Sequence, residues 1–138
     1  YDNSLEFYSR GDNSGTHLKV LSQWELFGYD VSTFGNWYQE TGQGMGSTLS
    51  MSALDDHYTL TDIATFCAMK DTLDIEVAYE DVNELVNQYG IIKVNPDLHN
   101  REYKNADLFY DWIQRTDVQI LISEYMMCGL QMFYPNAG

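Results

Sequence analysis

Residues 9–16, Ser-Arg-Gly-Asp-Asn-Ser-Gly-Thr, gather a permanently charged guanidinium, three hydroxyls and two glycines into one short polar turn. That mixture suits an oxyanion. A helical period begins at Ser14, and a helix starting there points its first unpaired N–H groups, and the positive end of its dipole, at the turn. Arg10 offers a planar fork matched to a tetrahedral oxyanion, and Ser9, Ser14 and Thr16 add hydroxyl donors. Gly11 and Gly15 let the backbone approach a ligand with no Cβ in the way. Asp12 either locks Arg10 in place or accepts from a protonated anion oxygen. The plainer alternative is a Ser- or Asp-capped helix with Arg10 in a surface ion pair.

Other groupings carry less. Asp12, Ser14 and His17 invite a hydrolase reading. Ser14, however, lacks a nucleophile-elbow pattern and His17 falls in the same helical turn, so His17 reads as a capping or packing residue. With no acid–base or nucleophile constellation, the chain is not expected to be an enzyme. Arg10-Gly11-Asp12 also spells an adhesion tripeptide, which arises by chance and here leads straight into a helix cap. Asp55-Asp56 and Glu80-Asp81 lack calcium-loop spacing and read as solvated surface. Glu40 sits among glycines and aromatics, where polar neighbours can satisfy it. Met126, Met127 and Met132 read as packing. Cys67 and Cys128 have no metal-ligand spacing, so neither a metal nor a cofactor is expected, and a disulfide between them stays open.

Elements must position the turn. Leu5–Tyr8 alternates as a short strand, and Leu18, Leu21 and Trp24 place an inward stripe on the helix that follows, stopped by Gly28. The glycine-rich stretch 29–46 reads as irregular. A helix from about Gly44–Ser47 carries Met45 and Leu49 inward, Tyr58–Leu60 is a strand, and Thr61 caps a helix through Lys70. Ile75–Val77 and Leu85–Val94 read as strands, 105–114 and 117–125 as helices with Leu108, Phe109 and Trp112 on one face of the first. Strands alternating with helices predict an α/β fold.

Seven Lys and Arg against 21 Asp and Glu leave a formal charge of −14. Binding to a nucleic-acid backbone needs a basic stripe, so DNA and RNA are excluded as partners, and an anionic membrane surface is disfavoured. No apolar run approaches the roughly 18–20 residues of a membrane span.

Ser9–His17 and Asn36–Leu49, the latter with Gly42-Gln43-Gly44-Met45-Gly46-Ser47-Thr48, resemble motifs of the tungstate-binding proteins of ABC importers. Tyr58–Asp62, Asn87–Pro96 and Phe133–Ala137 are similar to the same family in the same order. The resemblance implies a type II periplasmic-binding-protein-like α/β fold, with a mixed sheet, flanking helices and the ligand in a cleft between two lobes. It implies a bound oxyanion, tungstate or molybdate-like, and no catalysis. Arg10 matches the family's anion-contacting arginine, Ser14, Gly15 and Thr16 its helix-terminal donors, and Ser9 and Asp12 are supporting matches. Gly44, Met45, Gly46, Ser47 and Thr48 fall near the cleft.

The family's N-terminal region, with the Thr/Ser-rich loop of the opposite wall, has no match in these residues. Residues 1–84 then correspond to a second-lobe segment carrying half of the anion shell, and 85–138 to the returning C-terminal segment of the first lobe. The chain is expected to be a fragment, or to dimerise or pair with another polypeptide. A periplasmic or extracellular location is implied, with an ABC permease as partner if the source is bacterial. The acidity and the cysteine pair depart from bacterial members and leave a secreted eukaryotic relative open. The competing reading is an acidic secreted structural or interaction protein that reuses the fold without capturing an anion.

Overall fold

The computed structural model describes residues 5–98 and 103–137. They fall into two compact units divided between Gln88 and Tyr89.

In the first unit the chain runs β1 (Phe7–Ser9), α1 (Gly15–Leu26), β2 (Tyr38–Glu40), α2 (Met45–Asp55), β3 (Tyr58–Thr59) and α3 (Ile63–Met69). The strands form one sheet in the order β2-β1-β3. Both pairings of β1 are parallel, with Phe7 opposite Tyr38 and Tyr58, and Ser9 opposite Glu40. Thr59 Oγ1 donates to Tyr8 O at 2.8 Å and fastens β3 to the centre. The larger sheet is thus wholly parallel, and among the described residues antiparallel pairing is confined to a hairpin in the second unit.

Helix ends follow from local chemistry. Ser14 caps α1, its Oγ accepting from His17 N at 3.2 Å, and Gly28 at φ +79° turns the chain away after the last turn. α2 ends at Asp56 in the left-handed region, φ 59°. α3 is capped by Asp62 rather than the expected Thr61: its carboxylate accepts from Thr65 N at 2.8 Å and Thr65 Oγ1 at 2.7 Å. Tyr8, Val20, Met45 and Leu49 form the apolar core with buried Thr48 and Ser52. Beside it Trp24 meets Phe7, Phe34 and Trp37 edge-on, at ring distances of 5.9, 5.2 and 5.8 Å, and ties α1 to the irregular loop before β2.

Several expectations change. α1 buries His17 and Val20 rather than Leu18, which is exposed, because His17 is hydrogen-bonded to the end of β1 and brings that stripe to the sheet. β2 arises inside the stretch read as irregular. Residues 75–77 and 85–94 carry no strand, since no neighbouring strand among the described residues supplies a ladder.

The second unit holds α4 (Lys104–Ile113), α5 (Thr116–Ser123) and the hairpin of β4 (Met126–Met127) and β5 (Leu130–Gln131). Val118 and Met132 are its buried apolar residues, while the expected inward face of α4, Leu108, Phe109 and Trp112, is exposed. No helix is long and apolar enough to cross a membrane among the described residues.

Candidate functional site

The connection from β1 leads to β2 on one side, and the connection from β2 crosses to β3 on the other, so the winding of the connections reverses at β1 while the strands stay parallel. In open parallel sheets the crevice beyond the carboxyl ends of the strands at such a reversal is the place for a ligand. Residues 9–16 lie there. β1 ends at Ser9 and α1 begins at Gly15, so the helix N-terminus opens on the same edge.

Parallel pairing continues into the turn beyond the strands: Thr41 N donates to Ser9 O and Gly42 N to Arg10 O, each at 2.9 Å. Gly11 has φ +70°, and a Cβ there would stand 2.6 Å from Glu40 Cβ. Only glycine satisfies both conditions. At Gly15 a Cβ would meet Asn87 Oδ1 at 2.5 Å, a contact that the exposed Asn87 side chain can relieve by turning aside.

Ser9 is buried, its Oγ 2.7 Å from His17 Nδ1. The Arg10 guanidinium donates through one terminal nitrogen to Asp12 Oδ2 at 2.6 Å. Asp12 Oδ1 accepts from Ser14 Oγ at 2.6 Å and from Ser14 N at 3.1 Å. The Ser14 hydroxyl and amide, and after them Arg10, hold the Asp12 carboxyl below its ordinary value against the opposing effect of burial. Asp12 is therefore ionised throughout the neutral range and locks Arg10, the first of the two roles open to it. Arg10, Ser14, Gly15 and Thr16 thus meet at one helix terminus.

Among the described residues, two buried side-chain polar atoms lack a hydrogen-bond partner: Arg10 Nε and Tyr38 Oη. Burial raises the Tyr38 phenol, and Ser9 and Glu40 are its polar neighbours without making a hydrogen bond of proper geometry to it. An orphaned buried donor costs on the order of 1–3 kcal/mol, so its presence on Arg10 asks for an acceptor.

The second stretch is divided. Gly44 caps α2 with no side-chain hydrogen bond and is exposed, as is Ser47. Met45 and Thr48 are buried, and a Cβ on Gly46 would lie 3.4 Å from Met69 Sδ. Thr48 Oγ1 pairs with Thr41 Oγ1 at 2.8 Å, and through Thr41 it steadies the turn that holds Ser9 and Arg10.

Sequence reasoning missed two neighbours. His17 read as packing, yet its Nδ1 also accepts from Gly11 N at 3.2 Å, and its Nε2 is 3.7 Å from Glu40 Oε1. Asn87 stood inside a resembling segment without a role, and it packs over Gly15. Ser9, His17 and Glu40 line up as a hydrolytic triad would, but Ser9 is 2% exposed and the imidazole lone pair is shared with the Gly11 amide.

A parallel α/β unit that presents an arginine and a helix terminus where its winding reverses has the place for a ligand that such folds use. The comparisons agree: the chain belongs to the PBP superfamily, whose domain matches residues 1–117. It is 39% identical to the tungstate-binding protein TupA of Peptoclostridium acidaminophilum over 99% of this chain and 48% of the relative. Among solved structures, the tungstate-binding protein TupA of Desulfovibrio alaskensis G20 matches with TM-score 0.74 at 34% identity, over 97% of this chain and 56% of the other. The tungstate ABC transporter structure from Geobacter sulfurreducens matches with TM-score 0.75 at 39% identity, over 88% and 51%. The resemblance and the fold expected from the sequence hold, and the chain spans about half the length of the relatives it matches.

Proposed function

We propose that this chain is the oxyanion-gripping part of an extracytoplasmic solute-binding protein that serves an ABC importer, with tungstate as its first ligand and molybdate as the nearest competitor. The orphaned Arg10 Nε carries the reading. It is a buried cationic donor without an acceptor, beside a helix N-terminus, in a chain similar to tungstate-binding proteins.

Capture then follows from the residues. The anion accepts from the Arg10 edge that Asp12 leaves unused and from the amides of Gly15 and Thr16 at the start of α1, while Ser14, whose amide and hydroxyl are given to Asp12, holds the turn with Ser9 and Asp12. Gly44 and Ser47 lie at the neighbouring helix terminus, with Met45, Gly46 and Thr48 behind them. Most acceptor capacity of Asp12 is spent on Arg10 and Ser14, so the site prefers a fully deprotonated oxyanion to hydrogen phosphate, whose proton needs an acceptor. On this reading residues 1–84 form a second-lobe segment and 85–138 the returning segment of the first lobe. Another stretch of chain or a second polypeptide supplies the opposite wall, and binding rather than turnover is the activity.

Calorimetric titration at fixed salt with tungstate, molybdate, sulfate and phosphate tests this. Tungstate should bind selectively, and Arg10→Ala should weaken it by about 100-fold or more with an unchanged melting curve. Equal binding by the variant would remove Arg10 as the anchor. Concentration-dependent self-association with no anion-induced stabilisation would favour the interaction-protein reading.

A further inference from the structure

His17 is the third residue of α1 and is buried, yet both ring nitrogens face polar groups. Nδ1 lies 2.7 Å from Ser9 Oγ and receives Gly11 N–H at 3.2 Å. A backbone amide can only donate, so Nδ1 keeps its lone pair, and the neutral ring carries its proton on Nε2, on the side of Glu40. Ser9 then donates to the same lone pair. The residues so held flank Arg10 on either side, one at the end of β1 and the other at the left-handed turn.

We propose that His17 is the positioning residue of the oxyanion turn: it touches no anion, but its unprotonated Nδ1 holds Ser9 and Gly11 so that Arg10 faces the ligand, and anion affinity therefore requires the neutral imidazole. This rests on the oxyanion-binding function proposed above.

Protonation puts an N–H on Nδ1. Ser9 can reverse its hydroxyl and accept, but Gly11 cannot, so one of the two bonds is replaced by two donors facing each other. Gly11 is closed in by Glu40, and the displacement passes along the turn to Arg10 and Asp12. The charged group facing the ring is Glu40 from β2, the Arg10–Asp12 ion pair belongs to the turn that the ring holds, and on the β1 side stands the neutral Ser9.

Two variants separate this from simple packing. His17→Asn keeps an acceptor near the place of Nδ1 that does not titrate; His17→Leu removes it. Tungstate affinity is measured by calorimetry at neutral pH and at a more acid pH at which the nitrogen-15 resonances show the His17 ring protonated. The parent should weaken about tenfold on the acid side. His17→Asn should keep the parent's neutral-pH affinity at both pH values, its profile also carrying any change in the anion's own protonation, and His17→Leu should be weakened about tenfold at every pH. Identical pH profiles for the parent and His17→Asn, or a parent that tightens in acid, would overturn the proposal.

Nitrogen-15 resonances of the imidazole, recorded without anion, give an independent reading. Nδ1 should be unprotonated at neutral pH, and the Gly11 amide should shift with the titration of the ring. A proton on Nδ1 at neutral pH, or a Gly11 amide indifferent to that titration, would also overturn it. A parent that binds no oxyanion at any pH defeats the proposed function, and the ring tautomer and Gly11 shift then decide whether His17 positions the turn.

Discussion

Gly11 and Gly42 both adopt left-handed backbone on the carboxyl edge of the sheet, at φ +70° and +65°, but their surroundings differ. A Cβ at Gly11 would collide with the Cβ of Glu40, which cannot move without moving β2, whereas nothing lies within 4 Å of one at Gly42. Gly42→Ala should therefore cost only the backbone term, about 1 kcal/mol, while Gly11→Ala adds a displacement and should cost about 2–3 kcal/mol. Chemical denaturation of the two variants checks the order; equal losses would mean that Glu40 gives way freely. The chemistry of residues 9–16 was legible in the sequence, since a cation, hydroxyls and glycines at the head of a helical period need no tertiary knowledge. The partners of His17 were not. Whether an imidazole in the first turn caps, packs or organises depends on the Ser9 side chain and the Gly11 amide reaching the same nitrogen, and spacing does not encode that.

At the scale of elements, α1 and α2 start alike, each just beyond the carboxyl end of a parallel strand, but they are finished differently. Ser14 caps α1 with its hydroxyl; Gly44 leaves α2 without a side-chain cap and has open space where a Cβ would stand. Gly44→Asp should thus stabilise the chain by a few tenths of a kcal/mol through a cap and a favourable charge at the dipole. If α2 lends its N-terminus to the anion, the same substitution weakens tungstate binding several-fold. Melting and titration of this variant separate the two effects: a gain in stability with unchanged affinity removes residues 44–48 from the cleft. The helices were readable because their periods are long and their ends marked. β2 was not, for three residues between aromatics and glycines show no alternation, and they are a strand because β1 offers its edge. The reverse holds at 85–94, where β-forming residues find no strand to pair with among the described residues.

For the whole molecule, a formal charge of −14 accompanies the proposed anion site. The two act over different distances. Arg10 and the helix-terminal amides work at hydrogen-bond range and are little affected by salt, whereas the acidic surface repels an approaching dianion over a Debye length of about 8–10 Å at ordinary ionic strength. Added inert salt screens the repulsion before it screens the contacts. The association rate for tungstate should therefore rise with ionic strength, opposite to the fall expected of a protein that steers its anion in with a basic surface. Stopped-flow tryptophan fluorescence can follow it, since Trp24 and Trp37 lie in the aromatic cluster beside β1. A rate that falls with salt would mean that the local field at Arg10 outweighs the net charge even outside the crevice. The dissociation rate should change less, because the bound anion is held by groups at the crevice rather than by the distant charge. On the proposed reading such a division, with repulsion at long range and oriented donors at short range, would let an acidic chain hold an anion while refusing polyanions such as nucleic acids, whose many charges would meet the surface and could not all reach the turn.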